Sequence, residues 1–318
     1  MESCPYCSSR SSICFSTLSS QYMRCPACDL IYRAMKASYY ETISAYPENR
    51  FNKHSSDRIQ RGRDKVFRHI LGVIELARGE GRLLDVGCGY GRFLVAAQRR
   101  GWQVEGIEPS FRVAEIARQQ NGLAVYNGTL NEYCGDSSFD AITFINVLDH
   151  SAIPWMEIKI ANRFLRSGGL VYLRFPNGLL HSRIYLLAHK YRIIKRVHKF
   201  LVFHQYSFTP RYIKNLLDDH GFAQTTILNS PPSEGDPYKL FRGPTFAQYV
   251  KNLLHFIARY ANIFSRGRLL LGPSLEVTAI KKHHVGSDGP YCSTKRTLLL
   301  RDNGQPEIRG PSPLRPGD

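Results

Sequence analysis

No stretch of the 318-residue chain is apolar for long enough to span a bilayer. The opening "MESCPYC" lacks the charged-then-apolar pattern of an export signal. The two absences lead to the expectation of a cytoplasmic protein whose thiols stay reduced, so paired cysteines read as metal ligands and not as disulfides. Phosphate-loop signatures are missing too: no G-x-x-x-x-G-K-[ST] is present. A glycine cluster at 87–91 fails the dinucleotide fingerprint as well. Gly87 and Gly89 satisfy its spacing, but Arg92 stands where the third glycine belongs. A bulky arginine where a helix must pack on a sheet argues against NAD or FAD. Acid is absent between Glu157 and Asp218, a stretch rich in Lys and Arg. Within a net charge of +17, that imbalance favours acidic partners: nucleic acid, anionic lipid or a phosphorylated substrate. No internal repeat is evident.

What is present divides the chain. Residues 1–35 form a small cysteine module, 36–54 a polar, tyrosine-rich connector, 55–282 the main domain and 283–318 a Gly/Pro/Ser-rich tail read as disordered. From Ser55 to Arg78 the spacing predicts a helix with Val66, Ile70, Val73 and Leu76 on one face. Strands and helices then alternate. "RLLDVG", "WQVEGIE", "LAVYNG", "FDAITFINV" and "LVYLRFP" read as strands. "RFLVAAQRR", "SFRVAEIARQQ" (Ser110 as cap) and "WMEIKIANRFLR" (stopped by Gly168–Gly169) read as helices. "FTPRYIKNLLDDHGF" is a further helix, "AQTTILN" and "SLEVTAIKK" are the final strands, and a helix near 245–265 separates them. Such alternation predicts an α/β fold, a doubly wound, mostly parallel sheet with helices on both faces. Residues 180–203 interrupt the rhythm as a helical insertion with apolar and basic residues interleaved.

The glycine loop suits a ligand without a pyrophosphate. S-adenosylmethionine (SAM) offers an amino-acid end, a ribose and an adenine. Gly87, Gly89 and Gly91 let backbone run against the first two. Asp85, at the strand end, can accept from the ammonium, and the amides opening the next helix favour the carboxylate. Glu108, ending the second strand, can take both ribose hydroxyls.

With these residues in place, the main domain resembles the class I SAM-dependent methyltransferases, in the broad group of ubiquinone-type O-methyltransferases. "LLDVGCGYGRFL", "GWQVEGIEPS" with its Glu108-Pro109-Ser110 ending, "FDAITFINVLDH", "LRSGGLVYLRFPN" and "HQYSFTPRYIKNLLDDHGF" carry the resemblance over residues 55–281. It implies a seven-stranded sheet whose last strand is antiparallel. It also implies that Pro109, Thr129 and Leu130 border the cofactor, the latter two beside the adenine, and that Asn146 and Val147 line the pocket floor. Asp149 departs from this group, where Glu is common.

Cys4-x2-Cys7 and Cys25-x2-Cys28 have zinc-site spacing. Four thiolates leave no open coordination position, so the zinc is expected to be structural, in a ribbon too short to fold without metal. Ribbons of this kind resemble those ahead of methyltransferase domains in small-molecule and sugar-modifying enzymes, and in some ribosomal RNA methyltransferases.

If the acceptor is a hydroxyl, a general base helps, and histidine is the commonest. His150, after the fourth strand, and His204, after the insertion, are the candidates. The Asn/Asp-Pro-Pro-aromatic motif of base-amino methyltransferases is missing; the place reads "NVLDH". The reading is therefore SAM-dependent methyl transfer to a small-molecule or lipid-linked, anionic acceptor, at oxygen. RNA held by the ribbon and the basic face, or a catalytically silent SAM-fold module, are the alternatives. The basic insertion is either a solvated face or a lid that touches the acceptor or the inner face of the membrane.

Overall fold

The computed structural model describes residues 2–17, 20–34, 63–135, 138–232, 244–283, 298–300 and 306–308. The connector and most of the tail lie outside them. Strands β1 (Glu2–Ser3), β2 (Arg10–Ser16), β3 (Gln21–Arg24) and β4 (Ile31–Arg33) open the chain. The main domain follows as α1 (Asp64–Arg78), β5 (Arg82–Val86), α2 (Arg92–Gln98), β6 (Gln103–Glu108), α3 (Phe111–Asn121), β7 (Ala124–Asn127), β8 (Phe139–Ile145), α4 (Pro154–Phe164), β9 (Leu165–Pro176), α5 (Gly178–Lys190) and α6 (Ile194–Val197). Then come β10 (Tyr206–Ser207), α7 (Pro210–Asp219), β11 (Phe222–Asn229), α8 (Pro244–Phe264) and β12 (Ser274–Lys281). A short pair, β13 (Leu298–Leu300) and β14 (Pro306–Ile308), lies in the tail.

The main sheet has seven strands in the order β11-β12-β9-β8-β5-β6-β7. β12 runs antiparallel to both neighbours, β9 and β11, while β9, β8, β5, β6 and β7 are mutually parallel. The expected doubly wound sheet with a reversed last strand is therefore present. Its strands are apolar on both faces because helices cover both. On β9, Leu170 and Tyr172 join the core under α1, α2 and α3. Val171, Leu173 and Phe175 join the opposite core under α4 and α7. That alternation is the two-residue period of a strand.

Three expectations need correction. Helix α1 buries Val66 and Ile70 as expected, together with Phe67, Leu71 and Ile74, but Val73 is only half-buried and Leu76, expected inward, is 92% exposed. Helix α4 does not stop at Gly168–Gly169. It passes straight into β9 at Leu165, which is fully buried and pairs with Phe139, so core packing ends the helix before the glycines can. The insertion is not one helix: it breaks after α5 at Arg192, whose φ is 58°.

The cysteine module is not a separate bead. Its sheet, β1-β2-β3-β4-β10, takes its fifth strand from the main domain, with Tyr206 opposite Tyr32 and Ser207 opposite Ile31. Cys4, Met23, Leu30 and Tyr32 share one core with Tyr206, Phe208 and Tyr212. A second contact joins the module to the insertion: Phe15 and Tyr22 pack with Tyr185 of α5 and with Phe203, and Tyr185 Oη donates to the Ser16 carbonyl at 2.7 Å.

Candidate functional site

The loop after β5 is built on glycines at positive φ: Gly87 at 71°, Gly89 at 56° and Gly91 at 76°. Side chains are strained there. At Gly87 space forbids one as well, since a Cβ would lie 2.5 Å from Val147 Cγ2. At Gly89 the opposite holds: nothing lies within 4 Å of where its Cβ would point. The loop is pinned by the Gly87 and Cys88 amides, both donating to the Ile107 carbonyl at 2.7 and 3.0 Å. Its outer side at Gly89 is therefore bare backbone facing open space, which a ligand can approach closely.

Two acids are buried beneath this loop. Asp85 is 3% exposed and accepts from Thr143 Oγ1 at 2.6 Å. Burial, with repulsion from Glu108, pushes its carboxyl up to about 7. Glu108 is equally buried; it accepts from the Gly89 amide and the Ser110 amide, each at 3.0 Å. Burial raises it too, and those two amides hold it down. Ser110 sits at the N-cap of α3 as expected, but its side chain makes no capping bond. Two desolvated carboxylates beside bare backbone suit a ligand that brings a cation and hydroxyl donors. The residues thus fit an ammonium and a ribose.

Of the remaining candidates for the cofactor, Val147 alone is seen against this loop. Val147 packs over Gly87. Asn146 has φ 56° and accepts from Arg174 Nη1 at 2.8 Å. The Thr129 amide and hydroxyl both donate to Glu132 at 2.8 Å, Leu130 is buried and Pro109 exposed. Arg174 was missed at the level of sequence. It is buried, and it ties the turn at Asn146 to Ser230 at 2.8 Å and to the Pro231 carbonyl at 3.3 Å. Thr143 was legible as the one hydroxyl in the apolar run "AITFI".

Both histidine candidates converge. His150 closes a short 3-10 turn, Leu148–His150, just past β8, and its ring lies 3.9 Å from that of His204. His204 Nδ1 donates to Asp149 Oδ2 in a short hydrogen bond. Asp149 is 1% exposed and its other oxygen is buried with no hydrogen-bond partner. The ligating atoms of Asp149, His150 and His204 lie within 4.8 Å of one another, close enough to share a cation. Sequence reading treated Asp149 only as a departure from a pattern; its partner is 55 residues away.

At the N-terminus the four sulfurs converge. Cys4 Sγ is 3.6 Å from Cys28 Sγ, Cys7 Sγ is 3.4 Å from Cys25 Sγ, and all four lie within 4.8 Å. A tetrahedral ion with Zn–S bonds of 2.3 Å needs sulfurs about 3.8 Å apart, so the cluster has the dimensions of such a site.

Residues 52–227 match the methyltransferase domain family. The chain belongs to that family. Its sheet order and reversed β12 are those of the class I SAM-dependent methyltransferase fold. The chain is 32% identical over 114 residues to ubiquinone biosynthesis O-methyltransferase of Pseudomonas aeruginosa, covering 34% of this chain and 48% of that protein. A protein of the same description from Alkalilimnicola ehrlichii is 33% identical over 114 residues, covering 34% and 45%. The methyltransferase chain thus spans about half the length of these curated relatives. Among solved structures, the 1,6-didemethyltoxoflavin-N1-methyltransferase of Burkholderia thailandensis shares the fold with a TM-score of 0.51 at 12% identity, covering 86% of this chain and 100% of that one. Phosphoethanolamine N-methyltransferase 2 of Haemonchus contortus, with bound SAM, does so at 0.50 and 16%, covering 80% and 64%.

Proposed function

We propose that the chain transfers a methyl group from SAM to a hydroxyl of a small-molecule or lipid-linked acceptor, with His204 as general base and Asp149 as its positioning residue. The observation that carries this reading is the Asp149–His204 pair, set two residues beyond the Val147 side chain that covers Gly87. SAM, when bound, supplies a methyl made electrophilic by its sulfonium. Asp85 would hold the ammonium, and Glu108 the ribose hydroxyls. Asp149 fixes the His204 tautomer with Nδ1 protonated, which leaves Nε2 free to accept. His204 Nε2 would accept the proton of an acceptor O–H while that oxygen receives the methyl, the methyl–sulfur bond breaking to leave S-adenosylhomocysteine, and the proton would pass from Nε2 to solvent. The ring of His150 beside His204 holds that imidazole in place. The partial relatives named O-methyltransferases support oxygen as the acceptor atom. The zinc held by Cys4, Cys7, Cys25 and Cys28 is structural, because the four sulfurs complete its coordination.

The test has two parts. Cell-extract fractions incubated with labelled SAM should pass label to a small-molecule or lipid pool and not to RNA. His204→Ala should then lose roughly 10²–10⁴-fold in turnover while SAM affinity by calorimetry stays the same. Full turnover in that variant removes His204 from the chemistry.

A further inference from the structure

Helix α8 is turned the wrong way round for a soluble protein. A surface helix normally faces its apolar stripe inward. Here, among the described side chains of the helix, the buried one is Ala258, 1% exposed, whose carbonyl accepts from Asn229 Nδ2 of β11 at 3.0 Å. At 100° per residue, Leu253, Phe256, Ile257, Tyr260, Ile263 and Phe264 fall in an arc of roughly 120° centred opposite Ala258. All are exposed, Phe264 at 84% and Ile263 at 57%. The aromatic members stack along the helix, Phe256 on Tyr260 at 4.3 Å and Tyr260 near Phe264 at 6.3 Å. No helix among the described residues is long and apolar enough to cross a membrane, so this face does not belong to a spanning segment.

Charge says what should cover it. The sequence has no Asp or Glu between Asp236 and Glu276. Arg259 on the flank of the arc, and Arg266 and Arg268 just beyond the helix, are exposed. An apolar strip with aromatic side chains and a purely basic rim matches the interface of an anionic bilayer. A second copy of this chain would bring one basic rim against another.

The insertion adds a second patch of the same kind. On α5, Leu187 is 56% exposed and Tyr191, just after it, 65%, with Arg183, Lys190 and Lys195 exposed around them. The two patches share a root. Asn177, at the N-cap of α5, donates to the Leu270 and Gly272 carbonyls at 2.9 and 3.0 Å, and His181 bonds the Pro273 carbonyl at 2.9 Å. Both therefore spring from the carboxyl end of β9, where Pro176 pairs with Ser274.

We infer that the outward face of α8, together with the exposed side of α5, docks the protein on an anionic lipid surface. The inference goes beyond methyl transfer and is tested without cofactor or acceptor. The full chain is sedimented with phosphatidylcholine vesicles containing phosphatidylglycerol, and with phosphatidylcholine alone. Wild type should pellet with the anionic vesicles, and less so as salt rises. Phe256→Gln with Phe264→Gln, and separately Arg266→Gln with Arg268→Gln, should each weaken partitioning by about tenfold or more. Both variants should keep the wild-type melting curve and SAM affinity, since neither pair touches the site. Wild type remaining in the supernatant with anionic vesicles would overturn the inference. So would undiminished binding by both variants. A dimer in solution that the Phe pair converts to monomer, without vesicle binding, would assign the face to a copy of the chain instead.

Discussion

Asp85 carries the sharpest consequence of burial. Its carboxyl titrates at about 7 in the folded chain against an ordinary 3.8, so the folded state binds a proton that the unfolded state releases in that window. Stability of the ligand-free protein therefore falls as pH rises from about 4 to about 7. Asp85→Asn removes this penalty. At pH 8 the variant should be more stable in urea than wild type, by on the order of 2–4 kcal/mol, and the gap should close as pH falls toward 4. The same variant should lose SAM binding, because the ammonium no longer meets a charge. A gap that does not change with pH would mean that Asp85 is not the group responsible. Glu108 calls for a gentler change, because its carboxylate also pins the Gly89 and Ser110 amides. Glu108→Gln keeps one acceptor oxygen and weakens the other contacts. With charge-assisted hydrogen bonds worth about 1.5–3 kcal/mol each, SAM affinity by calorimetry should drop roughly tenfold to a hundredfold, with the fold intact by circular dichroism.

Among the elements, β10 is one of the two shortest strands, and it joins the cysteine module to the segment that carries His204. It is two residues long, follows His204 by one residue, and lies in the sheet of the cysteine module. The Arg33 amide donates to the Gln205 carbonyl at 2.9 Å, directly beside His204. Thr209, which caps α7 by accepting from the Tyr212 amide at 3.2 Å, also donates to the Asp29 carbonyl at 3.1 Å. Zinc is thus expected to stabilise a segment far along the chain. Chelation should raise hydrogen exchange at residues 204–209 as much as in the module itself, while the amides of β5 and β8 stay protected. Metal analysis of the untreated protein should find one zinc, and exchange confined to the first thirty residues after chelation would separate module and site.

For the whole molecule, what could be read in the sequence was whatever is local. The glycine loop, Asp85 and Glu108 belong to one strand–loop–helix–strand unit, so spacing alone placed them. The reversed strand and the count of seven came with the resemblance, and "SLEVTAIKK" was readable as a final strand. Contacts between distant segments were not legible: Asp149 with His204, Arg174 with Asn146, and β10 with β4 depend on folding, not on pattern. The stop of α4 was misread because glycine is a local sign and Leu165 obeys a non-local one, its partner Phe139 across the sheet. Helix α8 was placed close to its observed bounds, but which way its apolar residues face could not be read, since a helical pattern does not say which side meets the core. The shared strand has one more consequence, for inheritance. A domain that folds by itself can be exchanged by recombination at its linker. This cysteine module cannot, because β10 and Thr209 would stay behind with the other parent. Descendants of this chain should therefore keep residues 1–35 and 204–210 as a matched pair, substituting across the gap in concert, while the glycine loop between them is held by constraints of its own.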